Sequence, residues 1–221
     1  MSANKHILFL VSAILLLSCG RYEPPVTFDE AQPANTNAIS AFPGSVCGEY
    51  AAVDGASILT VSGNIVTRTH DYEVKTVKDS IVPPLYLKSD TIFISGYPDS
   101  VFAANVKIYG DSLVINVHYM DTLFMLTDSS ALKKFKGYYF LNERYAIDNS
   151  KYTWGVRKLS VIKGVLTLTQ IGSQKDLNDL REITETDDTT VSSFAPTRRQ
   201  FKQFLRYQDD EMTEQFTRIK R

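Results

Sequence analysis

Apolar residues recur at every second position over much of this chain. Val106 and Ile108, then Leu113, Ile115 and Val117, fall on one face, while Asn116 and His118 fall on the other. Leu123 and Met125, with Phe124 beside them, close the set, and the stretch from Tyr72 to Val77 alternates in the same way. A period of two sends successive side chains to opposite sides of a strand and predicts a sheet with one covered face. Between the runs stands a repeated mark, an Asp followed by Ser or Thr, at Asp79, Asp90, Asp99, Asp111, Asp121 and Asp128. Such residues bond their own backbone and favour turns, and a spacing of roughly ten residues suits short antiparallel strands. Pro83-Pro84 cannot donate to a ladder and marks an edge or a bulge.

After Thr169 the pattern changes. Leu177, Leu180 and Ile183 stand three apart, which predicts a helix over 176–185. Pro196-Thr197 opens a second helix over 198–207, with Phe201, Phe204 and Leu205 on one side, and a short strand over 215–220 ends the chain. The fold class predicted is therefore mainly β, with short C-terminal helices. The strands form an antiparallel meander or barrel, or two packed β-sheets.

Two stretches read as copies of one unit. Phe135-Lys136-Gly137-Tyr138-Tyr139 answers Val46-Cys47-Gly48-Glu49-Tyr50, and Leu159-Ser160-Val161 answers Leu59-Thr60-Val61. Lys163-Gly164-Val165-Leu166-Thr167 answers Gly63-Asn64-Ile65-Val66-Thr67, and a longer excursion over 145–155 carries the only Trp, Trp154. An internal duplication is one reading; the other is that any two Gly-Tyr hairpins look alike. The pattern suggests a β-meander unit over 41–130 and a second β unit with the helices over 131–221, which together can form one continuous domain.

The N-terminus alters the picture. Lys5 precedes an apolar run over 7–17 that is too short to span a bilayer of about 30 Å, as in a signal peptide covering residues 1–18. Leu17-Ser18-Cys19-Gly20 resembles the bacterial lipobox, in which the Cys is lipidated and becomes the first mature residue. That resemblance implies an acyl anchor at Cys19, the membrane as a partner, and a cell-envelope location on the outer membrane, facing the periplasm. Residues 19–40, with Pro24, Pro25 and Pro33, read as a flexible tether that holds the domain off the membrane. Losing Lys5 with the leader takes the formal charge from -1 to -2, which argues against nucleic acid as a partner. Cys47 would then be the one remaining thiol, without a disulfide partner, and reads as an inert residue in a strand.

Catalytic patterns are missing from the sequence. His70 and His118 lie on unrelated strands without ligand spacing around them, so neither metal nor cofactor is expected. There is no GxSxG elbow, no phosphate loop and no GxGxxG. The aromatics carry more signal: Tyr138, Tyr145, Tyr152 and Trp154 cluster in one hairpin, either as core or as an exposed surface for a partner or glycan. Cations at Arg198, Arg199, Lys202, Arg206, Arg218, Lys220 and Arg221 suit anionic headgroups. The neighbouring acids Asp209, Asp210, Glu211 and Glu214 offset much of that field, which favours a solvated helix face.

The lipobox, the run from Phe135 to Asn142 and the run from Pro196 to Lys202 together resemble a group of Bacteroidota-type envelope lipoproteins. That resemblance implies a location and no catalytic residue. Gly-x-Tyr at a strand start is also similar to lipocalin-like barrels, which implies an apolar ligand. The reading favoured is a non-catalytic, lipid-anchored module that binds or assembles another envelope component. A lipocalin-like carrier and a hydrolase using cleft carboxylates remain as alternatives.

Overall fold

The computed structural model describes residues 25–95, 101–103, 105–147, 151–208 and 211–219. The signal segment, Cys19, Asp99, Asp209, Asp210, Lys220 and Arg221 lie outside the described residues. Among the latter the elements run in this order: β1 Thr27–Phe28, β2 Gly48–Ala52, β3 Ser57–Val61, β4 Ile65–Val77, β5 Leu85–Lys88, β6 Thr91–Ile94, β7 Val101–Ala103, β8 Lys107–Tyr109, β9 Ser112–Met125, β10 Ser130–Phe135, β11 Tyr138–Ala146, β12 Tyr152–Ile162, β13 Val165–Gln170, α1 Gln174–Thr184, β14 Ser193–Phe194, α2 Arg198–Tyr207 and β15 Thr213–Arg218. Among the described residues the protein is mainly β, with two short α-helices and one 3-10 turn at Lys78–Ser80. The main hydrogen-bonded path runs from β10 to β8 and does not close into a barrel.

The chain divides into two compact units. The body takes Glu23–Arg68 and Asp121–Arg221, and the insert takes Thr69–Met120. This division differs from the boundary expected near residue 130. β15 at the end of the chain pairs with β2 near its start, Phe216 opposite Ala52, and so joins the two outer parts. Local periodicity carries no trace of a pairing that distant.

In the body the strands follow the order β10-β11-β12-β13-β15-β2-β3, each antiparallel to the next. One face is apolar on every strand: Leu132, Leu141, Leu159, Leu166, Phe216, Tyr50 and Leu59 form a single cluster, closed by Phe42, Val46 and Phe124. Two-residue turns set the register. Lys136-Gly137 and Lys163-Gly164 both hold φ positive at both residues, which matches the twist of the strands they join. The likeness of the two hairpins extends to their pairing, since Tyr50 stands opposite Leu59 and Tyr139 opposite Leu159.

The second face of β10, β11 and β12 is covered by the helices. Phe140 and Val156 from the sheet meet Phe201, Phe204 and Leu180, together with Val26 and Phe28. The rings of Phe140 and Phe201 lie 5.3 Å apart, edge to face. Each helix opens on a capping box, Ser173 with Asp176 and Thr197 with Gln200. The first helix therefore starts two residues before the expected 176, because Ser173 supplies the cap. The final strand covers 213–218 rather than 215–220.

The expected tether proves structured from residue 25 onward. Val26, Phe28 and Gln32 are completely buried, and β1 pairs with β12 and with β14. Two polar side chains hold the segment. Asn142 accepts from the Gln32 N–H at 2.6 Å and donates to the Gln32 carbonyl at 2.9 Å, reproducing with one side chain the two bonds of a strand pair. Lys133 donates to the carbonyls of Ala31 and Pro33 at 2.6 and 3.0 Å. Prolines exclude regular structure here, so the freed carbonyls need donors from elsewhere. Burial holds the Lys133 pKa below the usual lysine value, against an opposing pull from Glu30.

The insert has its own core. Leu85 and Ile92 of the sheet β5-β6-β7 pack with Val106, Leu113, Ile115 and Val117, while Ile108, expected on the same face, is exposed on the short strand β8. β5 starts directly after Pro83-Pro84 and is an edge strand. Two other expectations change. β4 is one strand from Ile65 to Val77, where two had been expected, and Asp121 lies inside β9 instead of in a turn. Exposure explains the second: Asp121 is flanked by exposed residues and needs no turn to reach water. The Asp side-chain bond to the backbone two residues on forms at Asp54 and Asp188, neither of which is among the six marks read from the sequence.

Asn142→Ala strips partners from the buried backbone of Gln32. It is expected to lower the unfolding free energy by about 2–4 kcal/mol in urea titration. A loss under about 1 kcal/mol would show that the segment is held by its apolar side chains alone.

Candidate binding surface

Of the four aromatics read from the sequence as a partner surface, the structure brings three to one face. Tyr138 starts β11, and Tyr152 and Trp154 start β12. Register puts Arg144 opposite Trp154 and Ala146 opposite Tyr152, so the even-numbered residues of both strands share a face. Tyr145 is opposite Thr153 and belongs to the other face. That division follows from strand parity, which the sequence contains but a cluster of aromatics conceals.

Arg144 is the residue that reading missed. Its guanidinium carbon lies 4.2 Å from the centroid of Tyr152 and 4.9 Å from that of Trp154. Tyr152 is 51% exposed, while Trp154 is half-buried against the core beneath the helices. A planar cation over two rings is held by their quadrupoles, worth about 0.5–1 kcal/mol per contact at exposed sites. At the other end of the strands Lys158 lies 5.4 Å from the Tyr138 centroid, and its ammonium donates to Gln208 Oε1 at 2.5 Å. Tyr138 is half-buried and packs on the helix-covered core.

The opposite face carries Glu143 and Arg157. Arg157 donates to Glu143 Oε2 at 2.5 Å and to the carbonyl of Leu123 at 2.7 Å. Burial raises the Glu143 pKa, and the adjacent Arg157 charge and its hydrogen bond oppose the shift. This arrangement ties the end of β9 to the sheet, and it leaves the carboxylate engaged.

The other candidates are dispersed. His70 stacks on Tyr119 with centroids 4.4 Å apart, and His118 Nδ1 stands 3.8 Å from Asp71. Among the described residues no three His, Cys, Asp or Glu side chains come together as metal ligands. Cys47 precedes β2 instead of lying within a strand, and its thiol donates to the Phe42 carbonyl at 3.7 Å. Among the described residues no helix is long and apolar enough to cross a membrane. No family model, curated protein or solved structure matches the chain.

Glu143 binds its proton more tightly folded than unfolded. Between the ordinary glutamate pKa of about 4.3 and its raised folded value, the folded state therefore holds more protons, and its contribution to stability declines as pH rises. Urea titrations across that window are expected to show a shallower decline in Glu143→Gln. An unchanged slope would mean that Arg157 fully offsets the burial.

Proposed function

We propose that this protein is a non-catalytic, lipid-anchored module of the cell envelope that binds another envelope component through the Arg144, Tyr152 and Trp154 surface. The observation that carries the reading is an exposed arginine on β11 aligned over two rings of the adjacent strand β12. Arg, Tyr and Trp dominate interface energetics, and side chains already ordered lose little entropy on docking. Trp154 packs against the core from beneath, which gives the surface an ordered base. Anchoring rests on the lipobox around Cys19, which also supports an outer-membrane location facing the periplasm.

The carrier reading draws less support. A lipocalin-like site needs a barrel closed around an apolar cavity, and the strand path here has two ends. A hydrolase using carboxylates needs a free acid beside a free base, whereas Glu143 is tied to Arg157.

The test is a photo-crosslinking residue placed at Tyr152 in intact envelopes, with a control at exposed Val53. A single adduct specific to position 152, reduced about tenfold by Arg144→Ala, is expected, since truncating one interface anchor costs more than 1 kcal/mol. Identical adducts at both positions, or none at 152, would refute the assignment of this surface. The melting temperature of Arg144→Ala should fall by no more than a few degrees, the scale of two exposed cation–π contacts.

A further inference from the structure

The helix α2 carries a feature that the binding reading does not use. Its sequence from Arg198 to Tyr207 contains four cations and no acid. Phe201 and Phe204 are fully buried, which turns the opposite side outward. Arg199, Lys202 and Arg206 are all exposed and lie three and four residues apart, so they share one stripe. Arg198 is spent on packing, its guanidinium 4.9 Å from the Phe135 ring. Among the described residues no ion pair or hydrogen bond engages the other three. Of the four acids set against this charge on sequence grounds, Glu214 is paired with Arg68 at 2.6 Å, and Asp209 and Asp210 lie outside the described residues.

The stripe is also close to the point where the chain joins the body. The Phe28 ring lies 5.9 Å from the Phe201 ring on the inner side of the same helix. Val26 is fully buried, so the chain is fixed by that residue, seven positions after Cys19. Seven extended residues reach about 25 Å at most. An anchor at Cys19 would then keep the body against the bilayer instead of holding it away.

We infer that the Arg199, Lys202 and Arg206 stripe docks on anionic phospholipid headgroups of the membrane that carries the anchor. The inference rests on the lipid-anchor reading for Cys19 and deepens it: one acyl-modified residue sets the distance, and three cations set the orientation. Cations near an anionic surface each strengthen binding by about fivefold, and salt screens the attraction.

The experiment uses the mature lipidated protein in nanodiscs of phosphatidylcholine alone or mixed with phosphatidylglycerol. A spin label is placed at Gln203→Cys or at Val53→Cys, each in a Cys47→Ser background, and relaxation by a headgroup-attached nickel chelate is measured. Relaxation at position 203 should rise several-fold in the anionic discs and revert in about 1 M salt, where screening is felt within about 3 Å. It should also revert in the triple variant Arg199→Glu, Lys202→Glu, Arg206→Glu, and in part in the milder Lys202→Gln. Position 53 should not respond. The mass of the N-terminal peptide separates the two layers of the argument. An acylated chain whose position 203 stays as solvated as position 53 overturns the docking inference alone. A chain without acyl groups on Cys19 overturns the anchor and the inference together.

Discussion

The body depends on a strand that is covered on both sides. In β11 the residues from Tyr139 to Asn142 are all buried, the odd positions in one core and the even positions in the other. A strand in that position cannot place a polar side chain without giving it partners, because an unmatched buried amide costs about 1–3 kcal/mol. Asn142 is the polar residue there. It makes four hydrogen bonds, to the N–H and the carbonyl of Gln32 and to the carbonyls of Ala131 and Phe140. The N-terminal segment is thus both the lid that buries Asn142 and the partner that satisfies it. Lys133, on the neighbouring strand, completes the clamp by holding the carbonyls on either side of Gln32.

From this clamp the remaining arrangement follows. With residues 25–34 in place, Phe28 reaches Phe201, and the helices have an apolar floor built of both sheet and segment. At the far end of the same face Arg144 and Tyr152 are exposed, and Arg144 lies over Tyr152 and Trp154. Among the described residues the helices take the Phe140 end of this face, and an aromatic and cationic surface takes the other. The insert stands apart in this logic, with its own core of Leu85, Ile92, Leu113, Ile115 and Val117.

Much of the fold was legible because short-range physics dictates it. Alternation gave the buried face of β9 from Leu113 to Val117, threefold spacing gave α1, and Pro196-Thr197 gave the start of α2 at Arg198. Alternation failed at the end of β9, where Phe124 is buried and Met125 exposed, because the stretch between is exposed on both faces and carries no apolar pattern. What escaped were contacts between residues far apart in the chain. The segment over 25–34 carries no periodicity, and its order depends on Lys133 and Asn142 about a hundred residues away. The domain boundary escaped because β15 closes on β2. The candidate surface was half legible: the aromatics were visible, but which of them share a face depends on register, and Arg144 gains meaning only once it stands opposite Trp154.

The N-terminal segment belongs to the folded core of the body, held by a reciprocal pair with Asn142. Native-state hydrogen exchange of the Gln32 amide addresses it directly. This proton should exchange only through an opening as costly as that of the buried strands, with a free energy close to that of global unfolding. Exchange at the rate of an unstructured peptide would contradict it.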